Sequence, residues 1–95
     1  MTHSPALPTI DFYTRTGCLI CDEARATLQT VLEDRARRGD PIGRVHYVNL
    51  ADRPELEADY GAWVPVLQVG GQKLTLSSTY RPISQFLDIT LGRLA

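Results

Sequence analysis

Cys18 and Cys21 are the two cysteines of this 95-residue chain. They stand as Cys18-Leu19-Ile20-Cys21, between a short strand-like run and a long amphipathic segment. A thiol attacks only as thiolate, and a cysteine at a helix N-terminus is helped to ionise by unpaired backbone N–H groups and the helix dipole. Cys18 takes that position. Cys21, three residues on, falls on the same side of the helix, close enough to close a disulfide and to resolve a mixed one. The chemistry offered is thiol-disulfide exchange, with Cys18 as nucleophile and Cys21 as resolving thiol. Two plainer readings stand beside it: a pair of buried small apolar residues, or half of a zinc site. Zinc needs four ligands, and the other soft candidates are His3 in a loose tail and His46 within a strand.

The elements that would position the pair follow from periodicity. Thr9–Thr14 reads as a first strand, entered after Pro8 and rich in aromatic and β-branched residues. A helix follows, with Cys21, Ala24, Leu28, Val31 and Leu32 on one stripe; Arg37 and Arg38 fill its last turn, Gly39 caps it and Pro41 stops it. Val45–Leu50 is a second strand. Asp52 and Glu55 are spaced as a capping box around Pro54 and open a short second helix ending at Gly61. Pro65–Val69 and Gln72–Leu76 flank Gly70-Gly71, a two-residue hairpin turn. Pro82 opens a last helix carrying Ile83, Phe86, Leu87, Thr90, Leu91 and Leu94 on one face. Strand-helix-strand makes the first two strands parallel, and the hairpin adds an antiparallel pair. The fold class is therefore α/β, a four-stranded mixed sheet between helices in the order βαβαββα.

The totals narrow the function. Residues 1–95 make one domain, with residues 1–8 a flexible tail. A formal charge of −1 with acids and bases interspersed provides no basic stripe for nucleic acid and no polybasic patch for a membrane. No run approaches the roughly 18 apolar residues of a membrane span, and the N-terminus lacks a signal-peptide pattern. The expectation is a cytoplasmic monomer, where reducing conditions make a close cysteine pair catalytic or metal-binding rather than a permanent staple.

Tyr13-Thr-Arg-Thr-Gly-Cys-Leu-Ile-Cys-Asp-Glu-Ala24, with Trp63-Val-Pro-Val-Leu67 and a Gly-Gly hairpin after it, resembles the thioredoxin superfamily. It is most similar to small bacterial glutaredoxin-like proteins whose motif runs Tyr-Ser/Thr-Arg-x-Gly-Cys-x-Leu/Ile-Cys, and the resemblance spans residues 9 to 91. It implies a thioredoxin-like fold and a cis peptide between Val64 and Pro65. There the main-chain groups before the proline would face the dithiol and pair with an extended substrate. It also implies that Arg15 lies near the thiolate or clamps an anionic ligand. Each of these residues has a plainer reading too: proline is tolerated at a strand start, and a loop arginine is by default solvated.

Departures from the pattern matter equally. Glutaredoxins carry Gly-Gly and then an acid after the fourth strand, shaping a γ-glutamyl pocket; this chain has Thr75-Leu-Ser-Ser-Thr79. Ser77, Ser78 and Thr79 can still offer hydroxyls and helix N-terminal amides to a carboxylate. The resemblance thus implies an oxidoreductase for protein or peptide disulfides, with no tightly bound cofactor and no metal, restored by glutathione or a reductase partner. The rivals are an inactive thioredoxin-fold interaction module and a metal-binding dithiol. Asp11 reads as a strand-end or edge carboxylate, Trp63 as core or rim packing, and His46 as an ordinary strand residue. Tyr13, Leu28, Val31, Tyr47, Val48, Leu56, Leu67, Val69, Phe86 and Leu87 are assigned to packing.

Overall fold

The computed structural model describes residues 7–93. Most of the tail and Leu94, expected on the last helix, lie outside them, as does His3. Four strands, β1 (Thr9–Thr14), β2 (Arg44–Asn49), β3 (Val66–Val69) and β4 (Gln72–Thr75), alternate with helices α1 (Leu19–Arg38), α2 (Glu57–Tyr60) and α3 (Tyr80–Leu91) in the order βαβαββα. The sheet order is β2-β1-β3-β4. β1 and β2 run parallel, while β3 is antiparallel to both β1 and β4.

Alternation along β1 decides the layers. Ile10 and Phe12 are completely buried and meet Leu67 of β3 beneath α1 and α3. Ala24, Leu28 and Val31 of α1 and Ile83, Phe86 and Leu87 of α3 complete this core, each large side chain contributing roughly 1.5–3 kcal/mol by leaving water. The other face carries Asp11 and Tyr13, in register with Gln68 and Val66. The segment after β2 covers it, with the Tyr60 ring stacked on Tyr13 at 3.9 Å and the Tyr60 hydroxyl donating to Gln68 at 2.9 Å. Burial first, and then Tyr60, pushes the Tyr13 phenol well above its ordinary range.

Several expectations are corrected. β1 is an interior strand, so Asp11 is not an edge or end carboxylate; it lies mid-strand opposite His46, whose Nδ1 is 3.1 Å from its Oδ1. The Asp52–Glu55 capping box does not form. The chain instead makes two 3₁₀ turns, Leu50–Asp52 and Pro54–Leu56, before α2, and Glu55 accepts from Arg53 Nε at 2.6 Å. β2 is shifted one residue earlier than expected, and α3 opens at Tyr80, two residues before Pro82. Tyr47 is half-exposed on edge strand β2, with the Arg25 guanidinium 4.7 Å from its ring centre. In the hairpin Gly70 alone takes a positive φ, +59°, the geometry of a type II′ turn.

Arg35 continues the Leu28–Val31 stripe of α1 despite its charge. It is fully buried. Its Nε donates to Pro41 O at 2.8 Å, Nη1 to Asp88 Oδ1 at 2.7 Å, and Nη2 to Gly92 O. One guanidinium thus ties the C-terminal ends of α1 and α3 to the loop before β2.

Candidate active site

The site forms where β1 ends and α1 begins. Gly17 has φ +75°, a conformation costly for residues with a Cβ, and it turns the chain so that Cys18 becomes the N-cap of α1. The Cys18 Sγ accepts the Cys21 N–H at 3.1 Å, and Cys18 O accepts the first helical bond from Asp22 N at 3.1 Å. The two cysteines are disulfide-bonded, with Cα atoms 5.2 Å apart. Cys21 is 1% exposed, whereas Cys18 is only half-buried. An acceptor sulfur at the N-cap meets the orphan N–H groups and positive end of the helix dipole, which favour the thiolate on reduction.

A second small cluster joins the pair to the segment before β3. Cys21 packs with Leu50 and Val64, and Cys18, Tyr13, Leu56 and Tyr60 close around them. The Val64–Pro65 peptide is cis. Leu76 N donates to Trp63 O at 3.2 Å and to Pro65 O at 2.9 Å. No described residue pairs with the main-chain N–H or C=O of the intervening Val64. Trp63 is half-exposed and borders an open groove of about 310 Å³ with Tyr60, Val66, Lys73, Asp59 and Thr75. It is a rim residue.

The structure places the remaining candidates less simply. Arg15 is held by an acid of its own chain. Its Nη1 and Nη2 donate to the two Glu57 carboxylate oxygens at 3.2 and 2.8 Å, and Nη2 also donates to Gly61 O at 2.8 Å. The hydrogen bond to Glu57, and then its charge, hold Arg15 above its ordinary pKa. Ser78 Oγ donates to Glu23 Oε2 at 3.2 Å, while Thr27 Oγ1 donates to Ser78 O at 2.7 Å, anchoring this loop to the start of α1. The Ser77 hydroxyl turns to Thr75 O at 3.2 Å. Thr79 is the N-cap of α3 but makes no side-chain capping bond.

Two supporting residues were not found by sequence reasoning. Asn49 donates through Nδ2 to Thr16 Oγ1 at 2.7 Å and accepts from Ala51 N at 3.0 Å, bracing the loop before Cys18 against the turn after β2. Its signal was an amide at a strand end, the usual seat of an Asx turn. Glu57 had no local signal, because its partner lies 42 residues away. Among the described residues no group of three or more His, Cys, Asp and Glu side chains is placed to hold a metal ion. No described helix is long and apolar enough to cross a membrane.

Residues 9–88 match the glutaredoxin-like domain (DUF836). The chain belongs to this glutaredoxin-like family. No curated protein matches it. Among solved structures it is similar to the X-ray structure of protein XcR50 from X. campestris, a structural genomics target. The two are 30% identical with a TM-score of 0.67, and the match covers 84% of this chain and 96% of that one. The glutaredoxin-like assignment and the thioredoxin-like α/β fold thus agree with the Cys-x-x-Cys pair at the start of α1.

Proposed function

We propose that this glutaredoxin-like protein is a thiol-disulfide oxidoreductase acting on protein or peptide disulfides. The observation that carries the reading is the asymmetry of the pair. Cys18 Sγ, half-buried at the N-cap, accepts a helix N–H, while Cys21 is buried behind it. In the reduced protein the Cys18 thiolate attacks one sulfur of the substrate disulfide. The Cys18–substrate S–S bond forms as the substrate bond breaks, and the departing thiolate takes a proton from solvent. Cys21, deprotonated, then attacks Cys18 Sγ and expels the second substrate thiolate. Two electrons have passed to the substrate, and the protein is left with its intramolecular disulfide.

Arg15, Val64, Pro65, Ser77 and Ser78 would form the substrate-facing surround, with the Val64 main chain pairing an extended segment. An external thiol, glutathione or a reductase partner, would restore the dithiol, and no resident cofactor or metal enters the exchange. A reducing, cytoplasmic setting and a monomeric protein fit this cycle, since a dithiol donor must be kept reduced.

The test is insulin reduction with an external thiol in excess. Cys18→Ser should abolish turnover, and pre-reduced Cys21→Ser, mixed with insulin after the external thiol is removed, should accumulate a mixed disulfide between Cys18 and the substrate. Undiminished turnover by Cys18→Ser would sink the enzymatic reading and favour an interaction module.

A further inference from the structure

Leu76 is, among the described residues, the one non-glycine with a positive φ, +56°. A β-carbon disfavours this left-handed conformation, and residues held in it gather where a site has a use for them. The hydrogen bonds show what holds the backbone. The Leu76 amide bridges the carbonyls of Trp63 and Pro65, one on each side of Val64. Glycine or asparagine would supply the same amide with less strain. Leucine is therefore not explained by the backbone, nor by the core, since it is 51% exposed.

Trp63, 50% exposed, stands at the other end of this bridge. Leu19 and Ile20, 81% and 38% exposed, add apolar surface between the two cysteines. Val64, between the bridged carbonyls, pairs through its main chain with no described residue and packs against Cys21. An extended chain paired with Val64 sends successive side chains to opposite sides. In the proposed complex a residue beside the substrate cysteine would meet the rim at which the Leu76 amide holds the Trp63 and Pro65 carbonyls and both Trp63 and Leu76 are exposed. Glutathione flanks its cysteine with a glycine and a γ-linked glutamate, so it brings no apolar side chain to that rim.

We infer that Leu76 is a specificity-determining residue. With Trp63 it selects an extended protein segment carrying a bulky apolar residue next to its disulfide cysteine. The inference rests on the oxidoreductase reading above and names its substrate class.

The experiment uses two disulfide-linked peptides that differ only in having Leu or Ser beside the cysteine, and compares the rates at which the reduced protein attacks them. The wild type should favour the Leu peptide by about tenfold. Leu76→Gly and Leu76→Asn both accept the left-handed backbone. They should keep or raise the melting temperature, leave the Ser-peptide rate within about twofold, and bring the preference close to one. Equal wild-type rates, or an undiminished preference in both variants, would overturn the assignment. Unfolding of both variants would overturn it too, by showing that Leu76 is needed for packing. Failure of the wild type to reduce either peptide would instead strike the oxidoreductase reading, and the inference would fall with it.

Discussion

Arg15 and Glu57 form a two-pronged ion pair, 3.2 and 2.8 Å, that joins the loop before Cys18 to the first residue of α2. Gly61 makes room for it. A β-carbon there would lie 2.6 Å from the Glu57 carboxyl carbon, and the Gly61 carbonyl accepts from the same guanidinium. The cation that the family resemblance assigns to an anionic ligand is thus already occupied by a carboxylate of the protein itself. Together with Thr75-Leu-Ser-Ser-Thr79 in place of a Gly-Gly-acid loop, this is why the proposed function expects protein disulfides to be preferred over glutathione conjugates.

Glu57→Gln should therefore release Arg15 to solvent and ligand. The rate with a glutathionylated peptide should rise about tenfold, the ~1.4 kcal/mol expected of one new charge-assisted hydrogen bond in the transition state, while insulin reduction stays unchanged. Thermal stability should shift little, because the pair is solvent-exposed. An unaltered glutathionylated-peptide rate would show that Arg15 is not a ligand contact.

In the reduced protein, one equivalent of iodoacetamide should react rapidly at neutral pH, and peptide mapping should place it on Cys18. Burial shields Cys21, whereas Cys18 is accessible and its sulfur faces a helix N–H; the thiolate is the reactive form. Faster labelling of Cys21 would exchange the two roles.

The order of elements was legible because the segments carry local signals: aromatic and β-branched residues in Thr9–Thr14 and a helical stripe from Cys21 through Val31. The dithiol was legible because its spacing and its place before a helix are local facts. Asp11 was misplaced because an edge and an interior strand differ only in what pairs with them, and the order β2-β1-β3-β4 is a property of distant segments. The capping box failed for a similar reason. Asn49 caps the first turn after β2 and Pro54 starts another, so Asp52 closes a 3₁₀ turn rather than opening a helix. Leucine carries no sign of a left-handed backbone, which is why Leu76 was invisible. Arg35 shows the opposite failure, since its phase with Leu28 and Val31 was readable but its charge argued for the surface.

Acid should weaken the fold partly through Asp34. The Tyr80 hydroxyl, donating at 2.6 Å across from α3, holds the Asp34 carboxyl below its ordinary 3.8, with Arg37 and Arg38 acting the same way. The folded state thus binds this proton less tightly than the unfolded state does. The contribution is present above pH 3.8 and is lost as the pH falls through the lower folded value. Tyr80→Phe should reduce the difference in stability between neutral pH and pH about 3 in urea titrations. An unchanged acid limb in that variant would assign the effect to the arginines instead.

Arg35 should be the polar side chain on which stability depends most. It is fully buried and its donors reach Asp88, Pro41 and Gly92. Truncation by Arg35→Ala leaves a cavity, strands the Pro41 and Gly92 carbonyls, and leaves Asp88, itself 27% exposed in its side chain, without its cation. Asp88→Ala makes the worse fault of a buried guanidinium lacking its counter-charge. Removing one member of a buried pair costs about 3–5 kcal/mol, a large fraction of the 5–15 kcal/mol that holds a small domain. Arg35→Met combined with Asp88→Leu removes both charges together and should recover much of the loss, because apolar replacement of a buried pair is often neutral. Urea unfolding of the three variants tests this. If the double variant is no more stable than either single one, the carbonyl contacts to Pro41 and Gly92, rather than the ion pair, hold the ends of α1 and α3 together.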